Sequence, residues 1–205
     1  NPTSLVYDSS SDLLDQQTDA RNNTTNYRHD TNGNTDQVTD ALGNITSLTF
    51  DNLGRLETET TPLSLVTSYT YDEHGNMLRK NQKHLADNID FTTEYFYDAS
   101  DNLSYSIDPK NLRTDYTYDE INRKTKESYS VNNIPHTKRY SYDAMGRLAS
   151  VTNELNEISV TNYNSRSSVS SKVNPLGQTV TYGYDKNDNV VTVTVSVSDT
   201  PSRTT

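Results

Sequence analysis

The stretch that decides the fold is Tyr142-Asp143-Ala144-Met145-Gly146-Arg147-Leu148. Its pattern recurs along most of the 205 residues: an aromatic residue and Asp, often Gly three residues after the Asp, and an apolar residue five after it. Successive copies are 21 to 26 residues apart. A fixed period predicts a repeat array in which each unit contacts its neighbours. The nine copies have their motif Asp or Asn at Asp8, Asp30, Asp51, Asp72, Asp98, Asp119, Asp143, Asn164 and Asp185.

The residue types inside the motif are those of a tight hairpin turn. An Asp side chain can bond the backbone two residues on, and the slot three residues later requires a left-handed backbone that Gly, Asn and Asp tolerate. The pattern predicts a type I turn followed by a bulge. Because Ser167 fills that slot where Asn164 replaces Asp, we expect this turn to be the weakest. The predicted structural motif residues are Phe50, Asp51, Gly54, Tyr71, Asp72, Gly75, Tyr97, Asp98, Tyr118, Asp119, Tyr142, Asp143, Gly146, Arg147, Tyr163, Tyr184 and Asp185.

A second turn lies 11 residues before each motif Asp or Asn from the second copy onward. Asp108-Pro109 and Asn174-Pro175 show its turn chemistry most clearly. Two turns per unit at alternating ends make two antiparallel strands, so eight or nine units give roughly 16 to 18 strands. Two repeats are longer than the rest, and we expect their extra residues to form loop extensions near residues 80–86 and 130–131.

Alternation along the strands predicts one apolar stripe and one wet face. Tyr occupies the positions one and three before the motif Asp in five copies, as at Tyr140 and Tyr142. The other arm supplies an apolar residue such as Leu148, five after the Asp, to interleave with the aromatic residues. The opposite face is mostly Thr, Ser, Asn and charged residues. A solvated outer face and a half-buried inner face are therefore expected.

These features predict an all-β fold, an array of antiparallel β-hairpin repeats of about 21 residues that forms a continuous curved or spiralling sheet. We assign residues 1–205 to a single array. Within it, residues 1–26 are a degenerate first unit, residues 27–190 are clear repeats, and residues 191–205 are a partial repeat or tail.

Composition narrows the function classes. Only 30% of residues are apolar, yet 15 are Tyr, which favours a thin assembly with shared burial over disorder. The net charge is −10 and the basic residues are scattered, so nucleic acid is not an expected partner. Absence of Cys excludes disulfides and thiolate chemistry. No apolar run approaches the roughly 18 residues of a membrane span.

No catalytic, metal-binding or cofactor-binding residue is predicted. The segment from Asp185 to Asn189 resembles the start of a calcium loop, but Val190 and Ser196 occupy positions that such a loop reserves for Gly and Glu. Neighbouring carboxylates such as Glu57 and Glu59 are expected to be solvated strand charges. The histidines show no helical pairing and no partner cluster typical of zinc: His29, His74, His84 and His136.

The repeated Tyr-Asp pair followed by x-x-Gly-Arg-Leu or x-x-Gly-Asn resembles the RHS or YD-repeat family over about residues 27–190. That family includes bacterial polymorphic toxins, insecticidal toxin-complex subunits and teneurin cell-surface proteins. The resemblance implies a long sheet that forms part of a hollow shell. The family's self-cleaving aspartyl segment has no counterpart in this sequence.

We therefore expect a non-enzymatic wall segment of an exported RHS/YD-repeat protein, secreted or at a bacterial cell surface. Its expected partners are neighbouring repeats of the same or a longer chain, and an encapsulated toxin domain. Two alternatives stay open. The Tyr-rich face could stack sugars as an adhesin or carbohydrate-binding surface, and unpaired edge strands could join copies into an extracellular fibre.

Overall fold

A computed structural model describes residues 3–85 and 89–196. Within these two ranges all the regular secondary structure is β-strand, and there are eighteen strands. They are joined as antiparallel hairpins in sequence order. The predicted all-β class and the array of antiparallel hairpin repeats are thereby confirmed. The chain divides into two compact units, which are described in turn.

The first unit comprises Asn1–Asp101 and Ser106–Asn111. Each of its first nine strands pairs antiparallel with the next along the chain. The strands are β1 (Ser4–Tyr7), β2 (Leu14–Thr18), β3 (Thr24–His29), β4 (Thr35–Thr39), β5 (Ile45–Phe50), β6 (Leu56–Thr60), β7 (Leu65–Tyr71), β8 (Met77–His84) and β9 (Ile89–Tyr97).

The second unit comprises Asn102–Tyr105 and Leu112–Thr205, and strand β10 (Leu103–Ile107) has residues in both units. From β11 onward, each strand again pairs antiparallel with its successor. The assignment of residues 1–205 to one array stays a prediction. The strands are β11 (Arg113–Tyr118), β12 (Lys124–Val131), β13 (Ile134–Tyr142), β14 (Leu148–Thr152), β15 (Ile158–Tyr163), β16 (Val169–Val173), β17 (Thr179–Tyr184) and β18 (Val190–Ser196).

The motif turn has the predicted type I geometry with a left-handed residue. The Gly146 N–H donates to the Asp143 carbonyl at 2.9 Å, the Asp143 N–H donates to the Arg147 carbonyl at 2.9 Å, and Gly146 has a φ of 82°. A register shift follows, in which Tyr142 faces Leu148 while Ser141 faces Ser150. The corresponding residue has positive φ in every copy from the second onward: Gly33, Gly54, Gly75, Asp101, Asn122, Gly146, Ser167 and Asp188.

The second turn is built on the same plan as the motif turn. The Gly177 N–H donates to the Asn174 carbonyl, and the Asn174 N–H donates to the Gln178 carbonyl, both at 3.0 Å. Gly occupies the left-handed position in only two of these turns, at Gly43 and Gly177. Asn tolerates a left-handed backbone almost as well, so the turn survives without Gly. Asp87, assigned to another such turn, lies outside the described residues. The left-handed residues are Asn22, Gly43, Ser64, Asn111, Asn156 and Gly177.

The predicted loop extensions are wrong for the residues that the structure describes; Ala86 lies outside them. The extra residues lengthen strands instead, because β8 and β12 have eight residues each and their partners β9 and β13 have nine. Val131 pairs directly with Ile134, so Asn132 and Asn133 alone form the connection, with φ of 51° and 63°. Two successive residues with positive φ are the requirement of a two-residue hairpin turn, and Asn satisfies it.

The array has no hydrophobic core in the ordinary sense. Among the described residues no apolar side chain is buried, and Thr67, at 5% exposure, is the one residue classed as buried. The motif aromatic residues are half-buried, as Tyr69 and Tyr71 show on β7. A single layer of strands can cover its side chains only with neighbouring side chains. Stability must therefore come from contacts between successive hairpins, which the repeated motif supplies.

Candidate functional site

The hydroxyl of the motif Tyr joins each hairpin to the one before it. Tyr142 Oη donates to the carbonyl oxygen of Lys124 at 2.8 Å, and Lys124 stands five residues after the preceding motif Asp119. We call this bond the inter-hairpin tyrosine contact. Six tyrosines form it: Tyr71 with Leu56 at 2.9 Å, Tyr97 with Met77 at 2.9 Å, Tyr118 with Leu103 at 3.0 Å, Tyr142 with Lys124, Tyr163 with Leu148 at 3.0 Å and Tyr184 with Val169 at 2.7 Å.

The bulge explains why that carbonyl accepts a side-chain donor. The accepting residue lies at the register shift after each motif turn, as Leu56 does opposite Phe50. A bulge disrupts the ladder locally, so a carbonyl there needs a partner other than the facing strand. His29 replaces Tyr in one copy, and its Nε2 atom lies 2.9 Å from the Leu14 carbonyl oxygen. Phe50 has no hydroxyl and cannot form the contact.

The motif carboxylate organises its own turn. Asp143 Oδ1 accepts the N–H groups of Met145 and Arg147 at 2.9 and 3.0 Å, and its Oδ2 accepts Arg147 Nε at 2.8 Å. The Arg147 side chain and backbone N–H bonds lower the pKa of the Asp143 carboxyl below its ordinary value. Hydrogen bonds to the charged form have this effect. The Asp side chain therefore acts as an anionic brace across four residues of backbone.

The Arg four residues after the motif Asp extends this brace to the next hairpin. The Arg55 guanidinium bonds Asp51 at 2.7 Å, lies over the Tyr71 ring at 4.7 Å and donates to the Asp72 carbonyl oxygen at 2.8 Å. A cation over an aromatic face contributes about 0.5–1 kcal/mol at exposed sites. The same stacking occurs for Arg123 over Tyr142 at 4.5 Å and for Arg147 over Tyr163 at 4.4 Å.

One copy carries a charge on the predicted apolar stripe. Lys124 takes the slot that Leu, Met or Val holds elsewhere, and its Nζ pairs with Glu127 Oε2 at 2.9 Å, which also accepts Tyr140 Oη at 3.2 Å. Burial has the largest single effect and lowers the pKa of Lys124, but the hydrogen bond and charge of Glu127 together with Tyr140 outweigh it, so the net direction is upward. Burial likewise opposes the net lowering of the Glu127 pKa. A half-buried ion pair thus replaces an apolar contact.

The opposite face carries cross-strand polar pairs, in agreement with the expected wet face. Thr49 Oγ1 and Thr58 Oγ1 lie 2.7 Å apart, and Ser141 Oγ and Ser150 Oγ also lie 2.7 Å apart. These pairs are exposed and sit two residues before the motif Asp. Cross-strand pairs of this kind stabilise a sheet by about 0.2–1 kcal/mol each.

The predicted motif residues therefore meet at successive turns, and Tyr142 faces Leu148 as predicted, but the sequence argument for the tyrosines was incomplete. It placed them in an apolar stripe and missed both the hydroxyl bond and the Arg stacking. A signal was present in the composition, because the chain has 15 Tyr and only 3 Phe. Apolar packing alone would not favour Tyr so strongly, whereas an obligatory hydroxyl donor would. The structure also brings Asp72, His74 and Asp101 together, which the sequence did not predict.

Two family models match the chain. The model described as Teneurin YD-shell matches residues 110–202, and the model described as RHS Repeat matches residues 29–65. Residues 29–65 and 110–202 therefore resemble RHS and YD-shell repeats. The predicted resemblance is confirmed, and a structural shell segment is what these repeats support. No characterised protein sequence matches the chain closely enough to count as a relative.

Solved structures similar to this chain include a Tc holotoxin pore and TcdB2-TccC3 proteins. The Tc holotoxin pore of Photorhabdus luminescens aligns with a TM-score of 0.62 and 15% identity, over 93% of this chain and 13% of that chain. A TcdB2-TccC3-Cdc42 crystal structure aligns with a TM-score of 0.62 and 17% identity, over 92% of this chain and 12% of that one. TcdB2-TccC3 aligns with a TM-score of 0.59 and 16% identity, over 97% of this chain and 14% of that one.

These likenesses establish a shared fold. The chain spans only about an eighth of the toxin chains it aligns with. Activities and partners of those larger proteins are therefore not carried over as findings. Among the residues that the structure describes, no helix is long and apolar enough to cross a membrane.

Proposed function

We propose that this chain is a non-enzymatic wall segment of an exported RHS/YD-repeat protein, and that the complete wall encloses a toxic domain of a longer polypeptide. The observation that carries the proposal is the inter-hairpin tyrosine contact. In six copies it bonds a hairpin to its predecessor at the same place in the repeat, as Tyr142 and Tyr163 do. A wall of any length can be built in this way without a compact centre.

The distribution of chemistry supports a structural role. The polar groups of the motif already have partners in their own turn or the adjacent one. Asp143 accepts hydrogen bonds from Arg147, and the Arg147 guanidinium lies over Tyr163. The clefts are open to solvent, and the polar side chains that line them, such as Asp72 and Arg79, come from turns and strand faces. An enzyme site needs a nucleophile, base or acid that is free to act on a substrate. The motif residues are engaged in holding the sheet.

The proposed partners follow from the wall geometry and the family. Neighbouring repeats are the first partners, because the inter-hairpin tyrosine contact joins successive hairpins. An enclosed toxin domain is the second, and it rests on the likeness to toxin-complex shell proteins. A secreted or cell-surface location in bacteria accords with such proteins.

The sugar-binding alternative has less support than the wall. One face of several motif rings is covered by a guanidinium of the adjacent turn, as Arg55 covers Tyr71 and Arg123 covers Tyr142. A sugar would have to displace that cation in order to stack on the covered face. The fibre alternative rests only on the exposed apolar side chains of β18, such as Val193 and Val195, and we do not propose it.

The experiment uses the longest native polypeptide that carries these repeats. Limited proteolysis is followed by mass spectrometry, comparing the parent with a double variant, Gly54→Val with Gly146→Val, whose side chains would force two turns out of their left-handed conformation. We expect the enclosed domain to resist cleavage in the parent and to be cleaved in the double variant. The matched control is Leu176→Ser, a change at a turn residue that is 77% exposed.

Equal cleavage of the proposed cargo region in the parent and both variants would contradict enclosure. If the repeats of the parent resist proteolysis while its cargo region is digested, the structural role stands and the enclosure of a toxin is contradicted.

A further inference from the structure

Two successive motif turns of the first unit bring Asp72, His74 and Asp101 together. Asp72 and His74 belong to the turn after β7, and Asp101 belongs to the turn after β9. The His74 Nδ1 atom lies 3.0 Å from an Asp101 carboxylate oxygen. One ligand atom from each of the three residues lies within 4.8 Å of the other two. These side chains line an open cleft of about 500 Å³.

The repeat itself produces this juxtaposition. The residue two after one motif Asp faces the residue three after the next, and the same pair recurs in the second unit as Arg166 and Asp188, whose Nη1 and Oδ1 atoms lie 3.2 Å apart. There the pair is an ordinary exposed ion pair. In the first unit an imidazole stands in place of the guanidinium. Imidazole has a nitrogen lone pair to offer, whereas guanidinium has none.

Asp72, like Asp30 and Asp185, has an Asn four residues on where three other motif turns have an Arg. The carboxylates of Asp51, Asp119 and Asp143 each bond an Arg four residues on. Asp72 instead has Asn76, whose Nδ2 donates to Asp72 Oδ2 at 3.0 Å and to Asp101 Oδ1 at 2.8 Å. A neutral amide therefore bridges two negative groups.

The arrangement of Asn76 is that of an outer partner that orients ligands. Carboxylates that bind a metal are usually held from behind by such hydrogen bonds. The Arg55 guanidinium reaches this turn, but it donates to the backbone carbonyl of Asp72 and pairs with the carboxylate of Asp51. Asp72 Oδ1 also accepts the backbone N–H groups of His74 and Asn76 at 2.9 and 2.8 Å. These donors are neutral, so they leave the negative charge of Asp72 in place, and a cation in the cleft would be attracted to Asp72 and Asp101.

We propose that Asp72, His74 and Asp101 bind a divalent transition-metal ion, for which Zn²⁺ is the best match. Zinc takes imidazole nitrogen and carboxylate oxygen ligands at about 2.0–2.2 Å, which places such a nitrogen and oxygen about 3.3 Å apart around a tetrahedral ion. The observed separation of 3.0 Å for His74 and Asp101 is close to that value. The three ligand atoms lie within 4.8 Å of one another, so the exposed His74 and Asp101 side chains would move closer to Asp72 to share one ion, and water would complete the shell.

The ligand set selects against the hard cations. Calcium and magnesium take oxygen ligands almost exclusively and gain little from an imidazole. First-row ions that accept both nitrogen and oxygen are favoured instead. A bound ion would tie two successive hairpins together at the turn edge.

The test is calorimetric titration of the untagged 205-residue chain with ZnCl₂ in a buffer that does not chelate metals. We expect one saturable site per chain and a raised melting temperature with Zn²⁺. His74→Asn and Asp101→Gly should each weaken Zn²⁺ at least tenfold. Both variants should fold, because the array already has Asn187 and Gly146 at the corresponding turn positions.

The matched control is Asp188→Gly, which removes the carboxylate from the equivalent turn of the second unit, and His136→Asn controls for adventitious binding to another histidine. Both should keep the parental affinity. Absence of saturable binding to the parent overturns the proposal. So does an affinity for Zn²⁺ that His74→Asn and Asp101→Gly leave unchanged. Circular dichroism of each variant separates loss of the site from loss of the fold.

Discussion

The turns at Asp143 and Asn164 stand in adjacent repeats and share one backbone conformation. Gly146 has a φ of 82° and Ser167 has a φ of 69° at the equivalent position. Both motif side chains accept two backbone N–H groups through Oδ1, at 2.9 and 3.0 Å in each turn. The turn is thus set by the Asx oxygen and the backbone, with or without a formal charge.

The two turns differ in what holds them from outside. Asp143 has its own Arg147, while Asn164 is followed by Ser168 and depends on its neighbour. Arg147 Nη1 reaches across to Ser167 Oγ at 3.1 Å, and its guanidinium covers Tyr163. A weak copy of the motif is therefore braced by a strong copy beside it. Repeat arrays can tolerate degenerate units for this reason.

The largest effect is expected from acid, because it acts on every Asp turn at once. Interactions lower the folded-state pKa of carboxyls such as Asp119 and Asp143. A lowered pKa stabilises the folded state above the ordinary carboxyl value of about 3.9, and that stabilisation is lost as the pH falls through the folded-state pKa. We predict that urea midpoints fall steeply below about pH 4, whereas the amides of the Asn164 turn lose protection only when their neighbours do. Urea denaturation at a series of pH values measures the midpoints, and residue-resolved hydrogen exchange measures the protection of the amides. Urea midpoints that do not change with pH would contradict the prediction.

The next largest effect is expected from Gly146→Val. A β-branched residue at a φ of 82° is strained, and its Cβ would meet Arg123 Nη1 at 3.3 Å. The expected loss is about 3 kcal/mol of unfolding free energy. Ser167→Val should cost only about 1 kcal/mol, because Ser167 already carries part of that strain. Urea denaturation followed by circular dichroism compares them, and equal losses would show that the two turns do not differ in strain.

Asp143→Ala removes the Oδ1 acceptor of two N–H groups and the partner of Arg147 together. We expect the melting temperature to fall by roughly 5 °C, and Asn164→Ala to lower it by about half as much because no charged bond is lost. Calorimetry of both variants provides the comparison. A larger loss for Asn164→Ala would mean that the Arg147 brace does not compensate for the weaker turn.

Tyr142→Phe isolates the inter-hairpin tyrosine contact, since it removes one hydroxyl and retains the ring under Arg123. The expected cost is about 1 kcal/mol, the net worth of a hydrogen bond. Tyr163→Phe should cost less because its bond to Leu148 is exposed. Phe50→Tyr is the reciprocal change at the copy that lacks a hydroxyl. Phe variants as stable as the parent in chemical denaturation would remove the hydroxyl from the account.

The smallest effect is a gain. Ser167→Gly places the residue that suits a left-handed backbone at the weak turn, at the cost of a more flexible unfolded chain and of the Arg147 bond to Ser167. We expect a net stabilisation of about 0.5 kcal/mol. A loss of stability would show that the bond from Arg147 outweighs backbone strain at this position.

Much of the array could be predicted from the sequence because its signals are local. The Asp at the start of the turn and the left-handed slot three residues later act within four residues, and the strand ends follow from them. Failures occurred where local signals were ambiguous. Near residues 80–86 and 130–131, added length was interpreted as loop, but Lys80 to His84 pair with β9, and Ser130 and Val131 pair with β13.

The contacts between hairpins could not be derived from one repeat. The bond from Tyr142 to Lys124 joins residues 18 positions apart, and it depends on the carbonyl released by a bulge. His74 and Asp101 are 27 positions apart, in two repeats separated by the longest interval of the array. Both contacts depend on the register between hairpins, which the sequence specifies only through the combined geometry of two turns.

Deletion of one whole repeat tests the central claim most directly. Removing residues 143–163 joins Tyr142 to Asn164 and takes out one 21-residue period, so β13 continues into an equivalent turn. The control removes only residues 143–153, which takes away one turn and β14 and reverses the direction in which β15 must run. Both proteins are compared by circular dichroism and urea unfolding.

The account predicts that the in-phase deletion keeps the β-sheet signal per residue and a cooperative transition, while the shorter out-of-phase deletion disrupts the second unit. Unfolding of both proteins to the same extent would contradict stabilisation through successive hairpins, because it would mean that the chain depends on a particular set of distant contacts.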